Sequence, residues 1–237
     1  MNRSFLKLVL LAFVLFSPAL LMAQTFEGEI TMQMSSPMLG NQKIDLISSI
    51  KGDKILQSAD DPHQGRTSIY TDNKAGVQVI VQEALKVGKE MDISVIDQAI
   101  KMMKLPPMVP KKAGKEDVIA GYKSELYTMM VDSVEEMNIW LTKDFPKDVA
   151  EGIRSCVYSG MMFSGIKSDA LLALFKAGYA PVRLEMKQNG MVQFSNEFFK
   201  AEHKKLNDAI FVVPQDIKIE KFDPSALGAD PNSSGQK

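Results

Sequence analysis

Apolar and polar positions alternate along most of the chain from Phe26 onward, which is the pattern of strands with one buried face. Phe26, Gly28, Ile30, Met32 and Met34 share one side of a first strand, and Glu27, Glu29, Thr31 and Gln33 share the other. A turn at Pro37–Asn41 leads to a second alternating run with Ile44, Leu46 and Ile50, then to a short strand around Ile55 and Leu56. Thr67–Thr71 and Val77–Val81 read as a hairpin, with Val77, Val79 and Val81 on one side. Strands resume at Leu126–Val131 and Met137–Thr142. There Met129 and Met130 are adjacent, so both faces of one strand look apolar, and Trp140 points opposite to Ile139 and Leu141.

A hairpin follows in which Val182, Leu184 and Met186 answer Val192, Phe194 and Phe198. A three-residue loop, Gln188-Asn189-Gly190, pairs Met186 with Val192 and Leu184 with Phe194. It keeps both apolar sets on one face, so we favour it over a two-residue Asn189-Gly190 turn. Ile210–Val213 and Ile217–Phe222 supply a last strand pair or an edge.

The period changes to that of a helix in two places. Over Ser94–Lys104, Val95, Ile96, Ala99, Ile100 and Met103 fall on one helical face, with Ser94 placed to cap it. The segment Leu105–Lys115, with three prolines and three lysines, reads as an extended, mobile loop. Over Asp144–Gly178, Val149, Ile153, Cys156 and Val157 mark a second helix, which Pro146 can open. Ser168 and Gly178 can cap and end a third, short one. This last helix carries Leu171, Leu172, Leu174 and Phe175 with only Asp169 and Lys176 as charges. A helix so apolar all round is buried nearly all round. The predicted fold is therefore α+β: a curved antiparallel sheet, an unclosed β-barrel, wrapped around a few helices.

The first 23 residues stand apart. Arg3 and Lys7 precede an apolar run from Leu8 to Phe16, Ser17-Pro18 breaks it, and Ala23 offers a cleavage position. This is the order of a secretory signal peptide, and the run is too short for the ~20 residues of a bilayer crossing. Residues 24–222 then form one domain in an exported protein, periplasmic or extracellular, and 223–237, rich in Pro, Ser, Gly and Asp, form a disordered tail. The formal charge of −1 becomes −3 once Arg3 and Lys7 leave with the leader. That balance argues against nucleic acid as a partner. No later stretch is long enough to span a membrane. Cys156 is the only cysteine, so no internal disulfide exists. Its place on the apolar helix face fits a small core residue better than a nucleophile.

Catalytic and metal signatures are missing. There is no phosphate loop, no serine elbow, no zinc helix and no cysteine pair. Asp60, Asp61 and His63 share a polar loop whose spacing matches no metal site, and His203 lies in a charged run that reads as a solvated turn. No enzyme activity, cofactor or metal is expected. The unusual count is methionine, 16 in all, a residue that fills cores and also lines adaptable apolar pockets.

Together, Phe26-Glu27-Gly28-Glu29-Ile30, Ile119-Ala120-Gly121-Tyr122-Lys123, Ile139-Trp140-Leu141-Thr142-Lys143-Asp144 and Phe211-Val212-Val213-Pro214 carry a family likeness. The chain resembles exported bacterial domains of unknown function that share the outline of the periplasmic lipoprotein carriers, the Lol proteins. The resemblance implies an apolar cavity between sheet and helices. The expectation is an envelope protein, non-catalytic, holding a lipid or other apolar ligand. Its pocket wall would be Met161, Met162, Phe163, Leu171 and Phe175, facing Met130, Leu184, Met186 and Phe194. The alternative is a structural or protein-interaction module of the cell envelope with a solid core and a protein partner.

Overall fold

The computed structural model describes residues 26–37, 40, 42–62, 65–95, 98, 108–131, 133–163 and 168–222; side chains are described for all of these except 161–163. The segments expected to be a leader and a tail, and most of the helix expected over Ser94–Lys104, lie outside the described residues. At the start of that segment the Asp92 carboxylate, not the Ser94 hydroxyl, provides the cap: it accepts from the Ser94 backbone N–H at 2.7 Å.

Twelve strands form one sheet in the order β12-β6-β5-β4-β3-β2-β1-β11-β10-β9-β8-β7. Two antiparallel meanders build it. The first runs through β1 (Glu27–Ser35), β2 (Ile44–Lys51), β3 (Lys54–Asp61), β4 (Gly65–Asp72), β5 (Val77–Gln82) and β6 (Val87–Asp92). The second runs through β7 (Lys111–Ile119), β8 (Tyr122–Met130), β9 (Glu135–Thr142), β10 (Ala180–Gln188) and β11 (Met191–His203). They meet where β1 pairs antiparallel with β11, from Gly28 opposite His203 to Ser35 opposite Ser195. Strand β12 (Lys218–Lys221) adds parallel to β6, and β12 and β7 are the two edges. The sheet is unclosed and mostly antiparallel.

Helix α1 (Lys147–Phe163) and helix α2 (Asp169–Lys176) lie between β9 and β10 in sequence. The Pro146 carbonyl accepts the first turn's bond from Ala150, and the Ser168 hydroxyl accepts from the Leu171 N–H. Gly178, at φ +94°, turns the chain out of α2. One face of α1 packs on the sheet, and its contacts move across the strands. Near its start, Asp148 meets His203 of β11. At Gly152 the helix touches β1 so closely that a Cβ would lie 2.8 Å from Ile30 Cδ1 and 3.1 Å from Phe26 Cδ1. Further on, Cys156 bonds Ser48 of β2, and Ser159 bonds Thr71 of β4 and Gln78 of β5. Seventeen residues of helix span about 25 Å, and the five strand spacings from β11 to β5 span about 24 Å. The helix is thus just long enough to bridge both meanders, and its apolar face makes them one core with Ile30, Ile139, Leu141, Ile153 and Leu171 at the centre.

Several elements differ from the sequence expectation, each for a local reason. Lys111–Lys115 is not a loop but the start of β7, an edge strand exposed along nearly all its length. An edge strand has no core face to reveal it, and lysines there discourage pairing with other chains. The β10–β11 hairpin uses the two-residue Asn189-Gly190 turn, with φ of +50° and +79°. Phe194 and Phe198 still share a face with Leu184 and Met186 because a bulge between Lys187–Val192 and Met186–Phe194 skips Gln193; Val192 instead lies opposite Lys187 and is exposed. Met186 therefore faces Phe194, and Leu184 faces Asn196. His203 is not in a turn; it ends β11 and its Nε2 lies 2.6 Å from Asp148 Oδ2. Asp60 and Asp61 end β3. Ile210 and Phe211 lie in a 3₁₀ turn, Asp208–Phe211, not in a strand.

The segment from Lys204 to Ile217 crosses the face opposite α1 before joining β12. Ile217 packs with Val79 and Val81 there, and ion pairs Lys51–Asp208 and Lys86–Asp216, at 3.0 and 2.7 Å, hold it down.

Candidate functional site

Beyond the midpoint of α1 the apolar core gives way to a cavity of about 470 Å³. Its walls follow from the strand register. Met32 and Met34 of β1, Ile44, Leu46 and Ser48 of β2, and Gln57 and Ala59 of β3 alternate onto the helix-bearing face. Thr67 and Ile69 of β4 continue the wall, and Leu184 of β10 with Phe194 and Asn196 of β11 close the other side. The roof is one stripe of α1, Cys156, Val157 and Gly160. Gly160 has nothing within 4 Å of where its Cβ would be, so the helix itself leaves room here.

Met32, Ser48, Gln57 and Asn196 are buried and form the floor, and Cys156 and Val157 of the roof are buried as well. Met34, Leu46, Asp61, Ile69, Leu184 and Phe194 are half-buried and form the mouth. The floor has polar groups that mostly satisfy one another. Gln57 Nε2 donates to Ser48 Oγ at 3.2 Å. Beside the cavity, Gln78 Nε2 donates to Thr71 Oγ1 at 3.1 Å and to Ser159 Oγ at 3.0 Å, and the two hydroxyls lie 3.2 Å apart. The exception is Asn196, whose Oδ1 is buried without a partner among the described residues. Burial pushes the Cys156 thiol up to about 12, against a smaller opposing pull from its bond with Ser48. The thiolate is the reactive form, so this cysteine is a packing residue. No cluster of His, Cys, Asp or Glu able to hold a metal occurs among the described residues.

A second, shallower depression lies between α1 and α2. It is lined by Lys143, Lys147, Arg154 and Lys176 with a single acid, Glu151. Its electrostatic character is the opposite of the cavity's.

The structure divides the sequence-predicted pocket wall. Leu184 and Phe194 line the cavity. Met186 packs against the main core from its edge. Leu171 is buried in the main core beneath α2, and Phe175, also buried, borders the second depression. Met130 is corrected outright: it is 53 % exposed, while Met129 takes the buried face of β8. Met161, Met162 and Phe163 continue α1 past Gly160, and their side chains lie outside the described residues. The cavity also recruits Met32, Met34, Ile44, Leu46, Ile69, Cys156 and Asn196, which the sequence reading did not place there. The signal existed for the methionines, because the alternation of β1 already set Met32 and Met34 on one face. It did not exist for Asn196, which only the bulge at Gln193 brings opposite Leu184.

Among solved structures, the chain is similar to MucB in complex with MucA(peri), at 8 % identity and a TM-score of 0.40, over 82 % of this chain and 57 % of that one. It is similar to the MucA/MucB complex of Pseudomonas aeruginosa at 8 % identity and 0.39, over 81 % and 57 %. A LolA superfamily protein from Nitrosomonas europaea matches at 10 % identity and 0.33, over 80 % and 90 %. The chain thus spans 57 % of the length of the MucB chains it matches. No curated protein sequence matches it. Across residues 26–217 the chain matches, and so belongs to, the family described as a domain of unknown function, DUF4412.

Proposed function

We propose that this is an exported, non-catalytic binding protein of the cell envelope that holds a lipid or other apolar molecule in the cavity between the sheet and α1. The single observation that carries the reading is the cavity itself. At about 470 Å³ it falls within the ~300–1,000 Å³ of small-molecule sites. Half of its sixteen described lining residues are Met, Ile, Leu, Val or Phe. Apolar area removed from water there contributes ~25 cal/mol per Å². Two methionines on one wall, Met32 and Met34, give that wall the pliability to fit chains of differing shape. The mechanism is desolvation: the apolar part of the ligand passes the half-buried mouth and replaces water against the stripe Cys156, Val157 and Gly160.

Extraction and mass spectrometry of the purified protein, recovered from an exported fraction, tests this. A stoichiometric apolar compound is the expected result, lost in Phe194→Asp, which places a charge at the mouth. A ligand-free protein that also fails to enhance the fluorescence of N-phenyl-1-naphthylamine, an uncharged apolar probe, overturns the reading.

A further inference from the structure

The sign of charge around the cavity restricts what can enter it. Among its described lining residues there is no lysine, arginine or histidine, and one carboxylate, Asp61, stands at the mouth. This is not a general shortage of cations, since four of them line the depression on the other side of α1. A carboxylate or phosphate carried into the cavity would lose its hydration with no cation among the described lining residues to replace it. A purely apolar occupant would leave a different fault. It would seal the floor over the Asn196 amide, whose oxygen has no partner in a residue only 7 % exposed. Buried polar groups are ordinarily hydrogen-bonded, and an exception calls for a missing partner. A half-turn of the amide about its last torsion exchanges its N and O, so the same side chain can meet a hydroxyl or an amide.

Resting on the binding role above, we infer that the ligand is an amphiphile whose buried portion carries an uncharged hydrogen-bonding group, a hydroxyl or an amide, and that Asn196 is the residue that receives it. Ser48 and Gln57, the other buried polar side chains that line the floor, are already bonded to each other, which leaves Asn196 as the open partner. Fatty acids and phospholipid headgroups are excluded from the interior by the same arrangement. The specificity comes from a missing cation and an unpaired amide together, not from the shape of the cavity.

The test is displacement of N-phenyl-1-naphthylamine from the exported protein by compounds with the same twelve-carbon chain. Near neutral pH, dodecanol and dodecanamide displace the probe at about tenfold lower concentration than dodecanoate, a difference of about 1.4 kcal/mol. The gap closes as the pH falls and the acid becomes uncharged. Asn196→Leu weakens dodecanol several-fold and leaves dodecanoate unchanged. Asn196→Asp weakens dodecanoate further and favours dodecylamine. Circular dichroism confirms that each variant is folded. Dodecanoate binding as well as dodecanol in the parent protein overturns the inference, as does an Asn196→Leu variant with undiminished dodecanol affinity. If the probe binds and all compounds compete equally, the binding role stands and this assignment alone fails. If the protein is ligand-free and the probe does not bind at all, both fail.

Discussion

The helix-bearing face of the sheet has two territories under a single helix. Over β8 to β11 and β1, the first half of α1 meets aromatic and aliphatic side chains, with Phe145 packed edge-on to Phe198 at 4.8 Å between ring centres. Over β2 to β5, the second half meets Ser48, Thr71 and Gln78, and space. The backbone geometry is the same in both. What differs is the size and polarity of the inward residue on each strand. Large apolar residues interdigitate and leave nothing over; Ser, Thr and Gln bond to one another and to Ser159 of the helix, and space is left beside them. A void is therefore specified as definitely as a core, by which residues are set opposite each other.

The contrast breaks or sharpens on measured stabilities. The largest effect belongs to the solid territory: Ile153→Ala or Ile139→Ala, both fully buried, costs about 2–5 kcal/mol in urea unfolding. Next comes the polar bridge. Gln78→Leu removes two bonds from the amide while leaving Thr71 and Ser159 to bond each other, and costs about 1–3 kcal/mol. Smaller still is the cavity wall, where Ile69→Ala trims a half-buried side chain beside existing space and costs under about 1.5 kcal/mol. Equal losses for Ile69→Ala and Ile153→Ala erase the distinction between core and cavity.

Two titrations probe the same helix at smaller amplitude. The Cys156 thiol is raised to about 12 by burial, above the ~8.5 of an unfolded chain. Its contribution to stability is full below the unfolded value and is lost as pH rises toward the folded one. Iodoacetamide at pH 8 should alkylate it only on unfolding; rapid labelling of the native protein contradicts its burial. At the other end of α1, the hydrogen bond from His203 holds the Asp148 carboxyl below its usual value. That contribution is present above the unfolded pKa, ~3.9, and disappears as pH falls through the folded one. Asp148→Asn should lower the melting temperature near neutrality, where that contribution is full, and change little at acid pH, so that the acid limb of a thermal-melt series flattens.

Much of this arrangement is legible in the sequence, and the parts that are not share a cause. Strands with one face in the core, such as β1 and β10, announce themselves by alternation. Helices α1 and α2 do so by their spacing and by Ser168. Strand β7 does not, because Lys111 to Val118 is exposed on both sides. The inward-facing Ser48, Gln57 and Gln78 read as solvent-facing residues, since nothing local tells a bonded buried amide from a wet one. The apolar pattern puts Phe194 on the helix-bearing face, where it lies, but through a longer turn than the one the chain uses. The Asn189-Gly190 signal and the apolar pattern conflicted, and the chain resolves them with an extra residue that alternation alone does not reveal. Long-range pairing, β1 with β11 above all, leaves no local trace.

That pairing has a consequence for the order of assembly. Each meander is made of neighbours in sequence and can zip from its own turns, but the seam joins Gly28 to His203. The first strand to emerge from a ribosome or a translocation pore has an unfilled side until nearly the whole domain has followed it. Loops that close over such distances form late. Throughout that wait the apolar side chains of β1 need shelter, and an unfinished chain is at its most vulnerable to sticking to its neighbours along this one line.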